Sequence, residues 1–308
     1  MKIAVIGAGG FVGDRVARRL AADPGVDRLV LLDRAFQAPP AGPRIVSMTG
    51  DFADPGVRAP VIDGADAVIV LAAVLGGAAE SDPALARRVN IDATLDLFED
   101  LRRRNPGTRV VFASTIAAFS APMPNPVTDA LRPAPTMIYG AHKVMVEVAL
   151  TQYSARGWLD GVSLRPAGIT ARDGADAALK SAFMSRLFWC VKRGEDITLP
   201  VAEDSSAWMS SVDAVARNFI HAATLPALGT ERAVTLPALT VRFGDLVRAL
   251  HRQFPHSSAR VHFAPDPDTI AMFGSYPRLE TAAADRLGFV RDADLAALVR
   301  HSFPEESP

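Results

Sequence analysis

Directly after Met1 come five residues with the apolar, β-branched character of a strand, Lys2 to Ile6, and they lead without a linker into Gly7-Ala8-Gly9-Gly10-Phe11-Val12-Gly13. Behind the glycines, Val12, Val16 and Leu20 recur at helical spacing, so the segment reads as strand, glycine loop and amphipathic helix. Glycines let the backbone turn tightly and approach a ligand closely. The helix that begins inside the loop offers free N–H groups and the positive end of its dipole. A pyrophosphate suits such a place, and the competing explanation is a glycine-rich turn that holds nothing.

The same alternation continues. Apolar runs at Arg28 to Leu32, Arg44 to Met48, Asp66 to Ala72, Arg109 to Ser114 and Gly161 to Arg165 are separated by stretches of helical periodicity, such as Ile91, Leu95, Phe98 and Leu101. Six strands joined by helical crossovers predict an α/β fold, a Rossmann-type doubly wound parallel sheet with a smaller C-terminal substrate domain. Beyond Arg165 the rhythm loosens into a Gly/Asp/Ala stretch over 168–178, a helical run over 181–192 and a turn at Arg193-Gly194. Ser210 with Asp213 predicts a capping box for a helix through Phe219, and Arg232 to Leu236 predict a strand returning to the main sheet. The expected division is a nucleotide-binding domain over 1–167, with a return segment near 211–237, and a mostly substrate-binding domain over 168–308.

Composition removes several function classes. Thirty-three basic against 34 acidic residues leave a net charge of -1, without the basic excess of a dedicated nucleic-acid binder. No window holds the roughly 18 uninterrupted apolar residues of a membrane span. The lone Cys190 excludes an internal disulfide or thiolate cluster, and six histidines show no H-E-x-x-H pattern, so no metal is implied. With strand character starting at Lys2 and no signal-like leader, the expectation is a cytoplasmic protein acting on a small molecule, with no nucleic-acid or membrane partner.

A carboxylate, Asp33, ends the second strand 20 residues after Gly13, where it can accept hydrogen bonds from adenosine ribose hydroxyls and repel a 2'-phosphate. That favours NAD over NADP, although Arg34 follows immediately. Asp51, preceding Phe52, can receive the adenine amino group or simply cap the next helix. The small residues of Leu71-Ala72-Ala73 allow a cofactor to approach the end of the fourth strand.

Tyr139 and Lys143 stand four residues apart, hence on one face of a helix. A phenol with an ordinary pKa near ~10 is a poor base at neutral pH, but a neighbouring ammonium and an oxidised nicotinamide both favour the phenolate. The pair lies 24 residues beyond Thr115, which follows Ser114 at the end of the fifth strand. A hydroxyl, a phenol and an ammonium can therefore converge at the carboxyl ends of the strands.

At these positions the chain resembles the extended short-chain dehydrogenase/reductases, the NAD-dependent epimerase/dehydratase family. The resemblance covers nearly the whole chain and rests on Gly7, Gly10 and Gly13 at the family's spacing, then Asp33, Asp51-Phe52, Leu71-Ala72-Ala73, Asn90, Ser114-Thr115, Tyr139 and Lys143 in its order. It implies Tyr139 as acid and base, Lys143 lowering the phenol's pKa and holding the nicotinamide ribose, and Thr115 holding the reacting oxygen. Ser114 becomes a supporting contact, and Asn90 sits early in the helix beneath the site. Phe11, Val12, Arg34 and Pro166 complete the expected cofactor set. Thr115 stands where the family usually has serine, and Phe119-Ser120 replaces an aromatic-glycine pair.

Within the family, Gly168 and Ser206 stand where nucleotide-sugar epimerases carry an asparagine and an arginine. Leu71-Ala72-Ala73-Val74 leading to Glu80, Arg88-Val89-Asn90 and Trp208-Met209-Ser210 instead resemble the D-erythronate dehydrogenase group. That implies an NAD-dependent oxidoreductase that oxidises a secondary hydroxyl of a small sugar acid. Two alternatives stay open: a nucleotide-sugar epimerase or dehydratase using NAD transiently, and a non-catalytic NAD-sensing protein. Arg172, with Lys180 and Arg186 behind it, is the candidate clamp for a substrate carboxylate. Trp208 either walls the pocket or fills a core, and His142, about 100° around the helix from its neighbours, is expected only to pack. The resemblance also implies a homodimer, through apolar residues Leu97 and Phe98 on one helix and Val144, Val148 and Leu150 on another.

Overall fold

Each of the six apolar runs becomes a strand in the computed structural model, which describes residues 1–174 and 181–303. They are β1 (Lys2–Ile6), β2 (Arg28–Asp33), β3 (Ile45–Thr49), β4 (Ala67–Val70), β5 (Arg109–Ala113) and β6 (Asp160–Arg165). All pair in parallel in the order β6-β5-β4-β1-β2-β3, and the late strand Ala233–Thr235 adds in parallel to β6. Strand order reverses at β1, where Val5 lies between Leu31 of β2 and Ile69 of β4. In a doubly wound sheet the crevice beyond such a switch point receives the ligand.

The crossovers are α1 (Phe11–Ala22), α2 (Pro55–Ile62), α3 (Gly76–Ser81), α4 (Pro83–Arg87), α5 (Thr94–Arg104) and α6 (Ile138–Ala155), with a π-helical turn over Arg88–Ala93 between α4 and α5. Asp54 and Asp82 cap α2 and α4, accepting from the Gly56 and Leu85 N–H groups. Leu97, Phe98 and Leu101 of α5 and Val146 and Leu150 of α6 pack into one core with Val68, Val110 and Phe112 of the sheet. The expectation that Leu97, Phe98 and Leu150 face a partner is therefore corrected: they serve this core. The large apolar side chains that α6 leaves exposed are Met145 at 55% and Val148 at 61%.

This sheet belongs to the first of two units, Met1–Ala118, Pro135–Arg165 and Ala216–Thr235. The second comprises Phe119–Ala134, Pro166–Val215 and Leu236–Pro308. It contains a three-stranded sheet in the order Leu239–Arg242, Ser206–Ser211, Gly168–Thr170. A helix over Ala182–Arg193 ends at Gly194, whose φ of +74 supplies the left-handed cap. The helix cap foreseen at Ser210 sits one residue later. Ser210 lies within a strand, and Ser211 Oγ accepts from Ala214 N at 3.1 Å.

Candidate active site

The glycine loop hangs from the end of β2, because Gly7 and Ala8 both donate their N–H to the Leu32 carbonyl, at 2.8 and 3.2 Å. Gly7 has φ +91, and a Cβ on it would meet the Ala72 backbone at 2.5 Å. A Cβ on Gly13 would meet the Gly7 carbonyl at 2.0 Å, so the first turn of α1 lies directly against the loop. Phe11 and Val12 fall between, in the opening turn of the helix. Gly10 is different. It caps α1 with no side-chain partner, and a Cβ there would meet only the Gly7 carbonyl, at 3.4 Å. The fold itself tolerates a side chain at Gly10, so its absence keeps open the space over the helix terminus. That is what a pyrophosphate needs, and the residues present fit NAD.

Asp33 ends β2 half-buried. Its Oδ2 accepts from Gly9 N at 2.8 Å and its Oδ1 from Arg34 N at 2.7 Å, so the carboxylate is fixed in orientation by the loop it borders. The Arg34 side chain is exposed. Asp51 closes its own turn, with Oδ1 accepting from Ala53 N at 2.9 Å, while the Phe52 ring lies in the core. Leu71 and Ala72 donate to the Ile6 carbonyl, which sets the segment 71–73 beside Gly7. Asn90 lies in the π-helical turn and is buried. Its Oδ1 accepts from Val74 N at 2.8 Å and its Nδ2 donates to Val74 O at 2.9 Å. The amide holds the chain that follows Ala73.

Tyr139 and Lys143 project from one face of α6, with Lys143 Nζ 5.7 Å from the centre of the Tyr139 ring and 4.4 Å from that of Phe112. Gly140 lets this helix approach the chain beyond Thr115, since a Cβ there would meet the Ala117 carbonyl at 2.2 Å. Glu80 assists from α3, where Oε1 accepts from Ile138 N at 2.7 Å and so closes the start of α6. Thr115 Oγ1 accepts from Ala117 N at 3.1 Å. Lys143 is 1% exposed, and burial pushes its pKa down to about 7, opposed by the charge of Glu147. Glu147 was not singled out in the sequence, and neither was Arg165, although both are buried beside this site. Spacing carried a signal, since Tyr139, Lys143 and Glu147 follow one another every four residues. Ser114 points into this group, and its hydroxyl donates to Glu147 Oε1. It supports the helix that carries Tyr139 and Lys143.

The remaining candidates belong to the second unit. Pro166, its first residue after β6, is buried. Arg172 is half-buried, its backbone N–H donating to Ser185 Oγ at 3.1 Å; Arg186 is exposed; and Lys180 lies outside the described residues. Trp208 is 1% exposed, stacks edge-on with Tyr276 and donates Nε1–H to the Pro277 carbonyl at 2.6 Å. Of the two places open to it, Trp208 takes one in the core of its own unit.

A glycine loop at the switch point, a carboxylate at the end of β2 and a Tyr-Lys face on the helix after β5 define a dinucleotide-dependent oxidoreductase of the short-chain type. The chain belongs to the family described as NAD dependent epimerase/dehydratase, which matches residues 3–232. It is similar to D-erythronate dehydrogenase of Haemophilus influenzae, 31% identical over 97% of this chain and 98% of that protein. It is 33% identical to D-erythronate dehydrogenase of Cupriavidus necator, over 97% of each. Among solved structures, a nucleoside-diphosphate-sugar epimerase from Agrobacterium tumefaciens matches with a TM-score of 0.88 at 30% identity, over 97% of this chain and 92% of the other. The protein is an NAD-dependent dehydrogenase. Among the described residues no helix is long and apolar enough to cross a membrane.

Proposed function

We propose that this dehydrogenase oxidises a secondary hydroxyl of a small sugar acid, D-erythronate or a close relative, with Thr115, Tyr139 and Lys143 as its catalytic residues. The observation that carries the reading is the Tyr139–Lys143 face of α6, held against the chain beyond Thr115 by Gly140, in a protein similar to two D-erythronate dehydrogenases over nearly its full length. Bound NAD supplies the acceptor for the electron pair of the carbon being oxidised. Tyr139, as phenolate, takes the proton of the alcohol, and the ammonium of Lys143 stabilises that phenolate. Thr115 Oγ1 already accepts from a backbone N–H, so its own hydrogen is directed to the oxygen that becomes the carbonyl. Gly7, Gly10 and Gly13 form the pyrophosphate cradle and Asp33 takes the ribose hydroxyls, which makes NAD the preferred dinucleotide. We assign the substrate carboxylate to Arg172, because a planar guanidinium matches a carboxylate with two parallel hydrogen bonds.

The test is NADH formation with a panel of four- to six-carbon aldonic and uronic acids. The expected result is net, stoichiometric reduction with D-erythronate or a neighbouring aldonate as the best substrate. Interconversion of a nucleotide sugar without net NADH, and no reduction with any acid, is the result that replaces this reading with epimerase chemistry.

A further inference from the structure

Beneath Lys143 lies a second charged layer. Glu147, one turn further along α6, is 3% exposed and accepts from Arg165 of β6 through both oxygens, Nε to Oε1 at 2.8 Å and Nη2 to Oε2 at 2.5 Å. Ser114 donates to the same Oε1 from the end of β5. Lys143, Glu147, Arg165 and Ser114 are all buried, and the Lys143 ammonium lies 4.4 Å from the centre of the Phe112 ring. Phe112 from β5 and Tyr139 from α6 present their rings to Lys143, the charge acting on it is that of Glu147 from α6, and Arg165 from β6 pairs with Glu147. His142 does not join them: the charges acting on it are those of Glu80, Arg87 and Asp92.

We propose that Glu147 is a positioning residue for the dehydrogenase reaction, whose buried charge favours the ammonium form of Lys143, and that Arg165 and Ser114 hold Glu147 in place for that purpose. The argument is one of charge. An ammonium removed from water over an aromatic ring gives up its proton unless an anion is near. Here two buried cations share one anion, so the set Lys143, Glu147 and Arg165 carries a net charge of +1. Ionisation of Tyr139 neutralises it. With Glu147 uncharged, the two cations would face each other alone, and expelling the proton of Lys143 is the cheapest relief, because Arg165 cannot deprotonate. The phenolate would then lose the cation that stabilises it.

This inference rests on the reading of Tyr139 and Lys143 as catalytic, but its test does not. The chain has only four lysines, Lys2, Lys143, Lys180 and Lys192, so selective carbon-13 labelling of the lysine ε-carbons gives a spectrum in which Lys143→Met identifies the signal of interest. In the cofactor-free full-length protein, Lys143 is expected to titrate near about 7. In Glu147→Gln its midpoint is expected to fall by roughly one pH unit or more, a tenfold loss of proton affinity. The alkaline limb of kcat/KM should move down with it. Should Glu147→Gln not fold, the double variant Glu147→Gln/Arg165→Met removes both buried partners together and answers the same question, with a smaller fall in the midpoint. An unchanged Lys143 midpoint in whichever variant folds overturns the proposal and leaves Glu147 as a tie between α6 and β6. Because neither cofactor nor substrate is present, this result is independent of whether a sugar acid is oxidised.

Discussion

In the loop between β1 and α1 the available donors are main-chain N–H groups, and the neighbouring carboxylate of Asp33 is held by Gly9 N of that loop and by Arg34 N. On the inward face of α6 they are long side chains taken out of water and answered by residues of other strands. The two regions solve the same problem, holding charge in a dry place, with different materials. Backbone dipoles are inexpensive to bury once the chain has turned, whereas an ammonium or carboxylate costs several kcal/mol unless it is paired. A loop of dipoles can therefore be written in seven consecutive residues. The face of α6 draws on Arg165, 18 positions after Glu147, and Ser114, 33 before it.

If the division of labour is real, chemistry should fail on one side with binding intact. Tyr139→Phe removes only the phenol oxygen and leaves the ring in place. Turnover on the best sugar acid is expected to fall by about a hundredfold or more, the usual worth of a general base, while the dissociation constant for NAD changes by less than about twofold. Retention of more than about half the wild-type turnover, with chemistry shown to limit the rate, would break the comparison and the mechanism together.

The second prediction divides the loop itself. Gly13→Ala drives a methyl into the Gly7 carbonyl and is expected to destabilise the protein by about 1–3 kcal/mol, read as a lower denaturation midpoint. Gly10→Ala meets only an ordinary contact at 3.4 Å, so its stability cost should stay at about 1 kcal/mol or less. Its methyl nevertheless stands over the helix terminus, and NAD affinity is expected to drop at least about tenfold, or ~1.4 kcal/mol. A Gly10→Ala protein that binds NAD as tightly as wild type would show that the open space there serves no pyrophosphate.

How much of this was legible in the sequence follows the same contrast. The six strands, the glycine loop and the Tyr139–Lys143 pair are local patterns, and the structure has them within a residue or two of their expected places. What was missed depends on partners distant along the chain. Asn90 could be seen as part of a family pattern, but not as a clamp on Val74, because the π-helical turn that aims its amide has no periodicity of its own. Ser114 read as a site hydroxyl until Glu147 claimed it. Trp208 could not be sorted between pocket and core before Tyr276 and Pro277 were seen against it. Leu97, Phe98 and Leu150 fitted an apolar docking face by composition alone, and only the direction of each side chain sends them inward.

The smallest expected effect lies where the two kinds of construction meet. Asp33 is a side-chain charge used by a backbone loop, so its loss combines two consequences. Asp33→Ala removes the negative charge expected to repel a 2'-phosphate, and it also releases Gly9 N and Arg34 N, which now have nothing to donate to. NAD efficiency should fall with it, and the preference of the wild type for NAD over NADP, expected to be about tenfold or more, or ~1.4 kcal/mol, should narrow. Asp33→Asn separates the two. It keeps an acceptor oxygen for the loop and removes only the charge, so it is expected to keep more of the NAD efficiency than Asp33→Ala while losing a similar share of the discrimination. Steady-state kcat/KM with both dinucleotides for the two variants decides the matter. If wild type already uses them equally, Asp33 does not read the ribose. If Asp33→Asn keeps the full preference, the discrimination comes from the shape of the loop rather than from the carboxylate's charge.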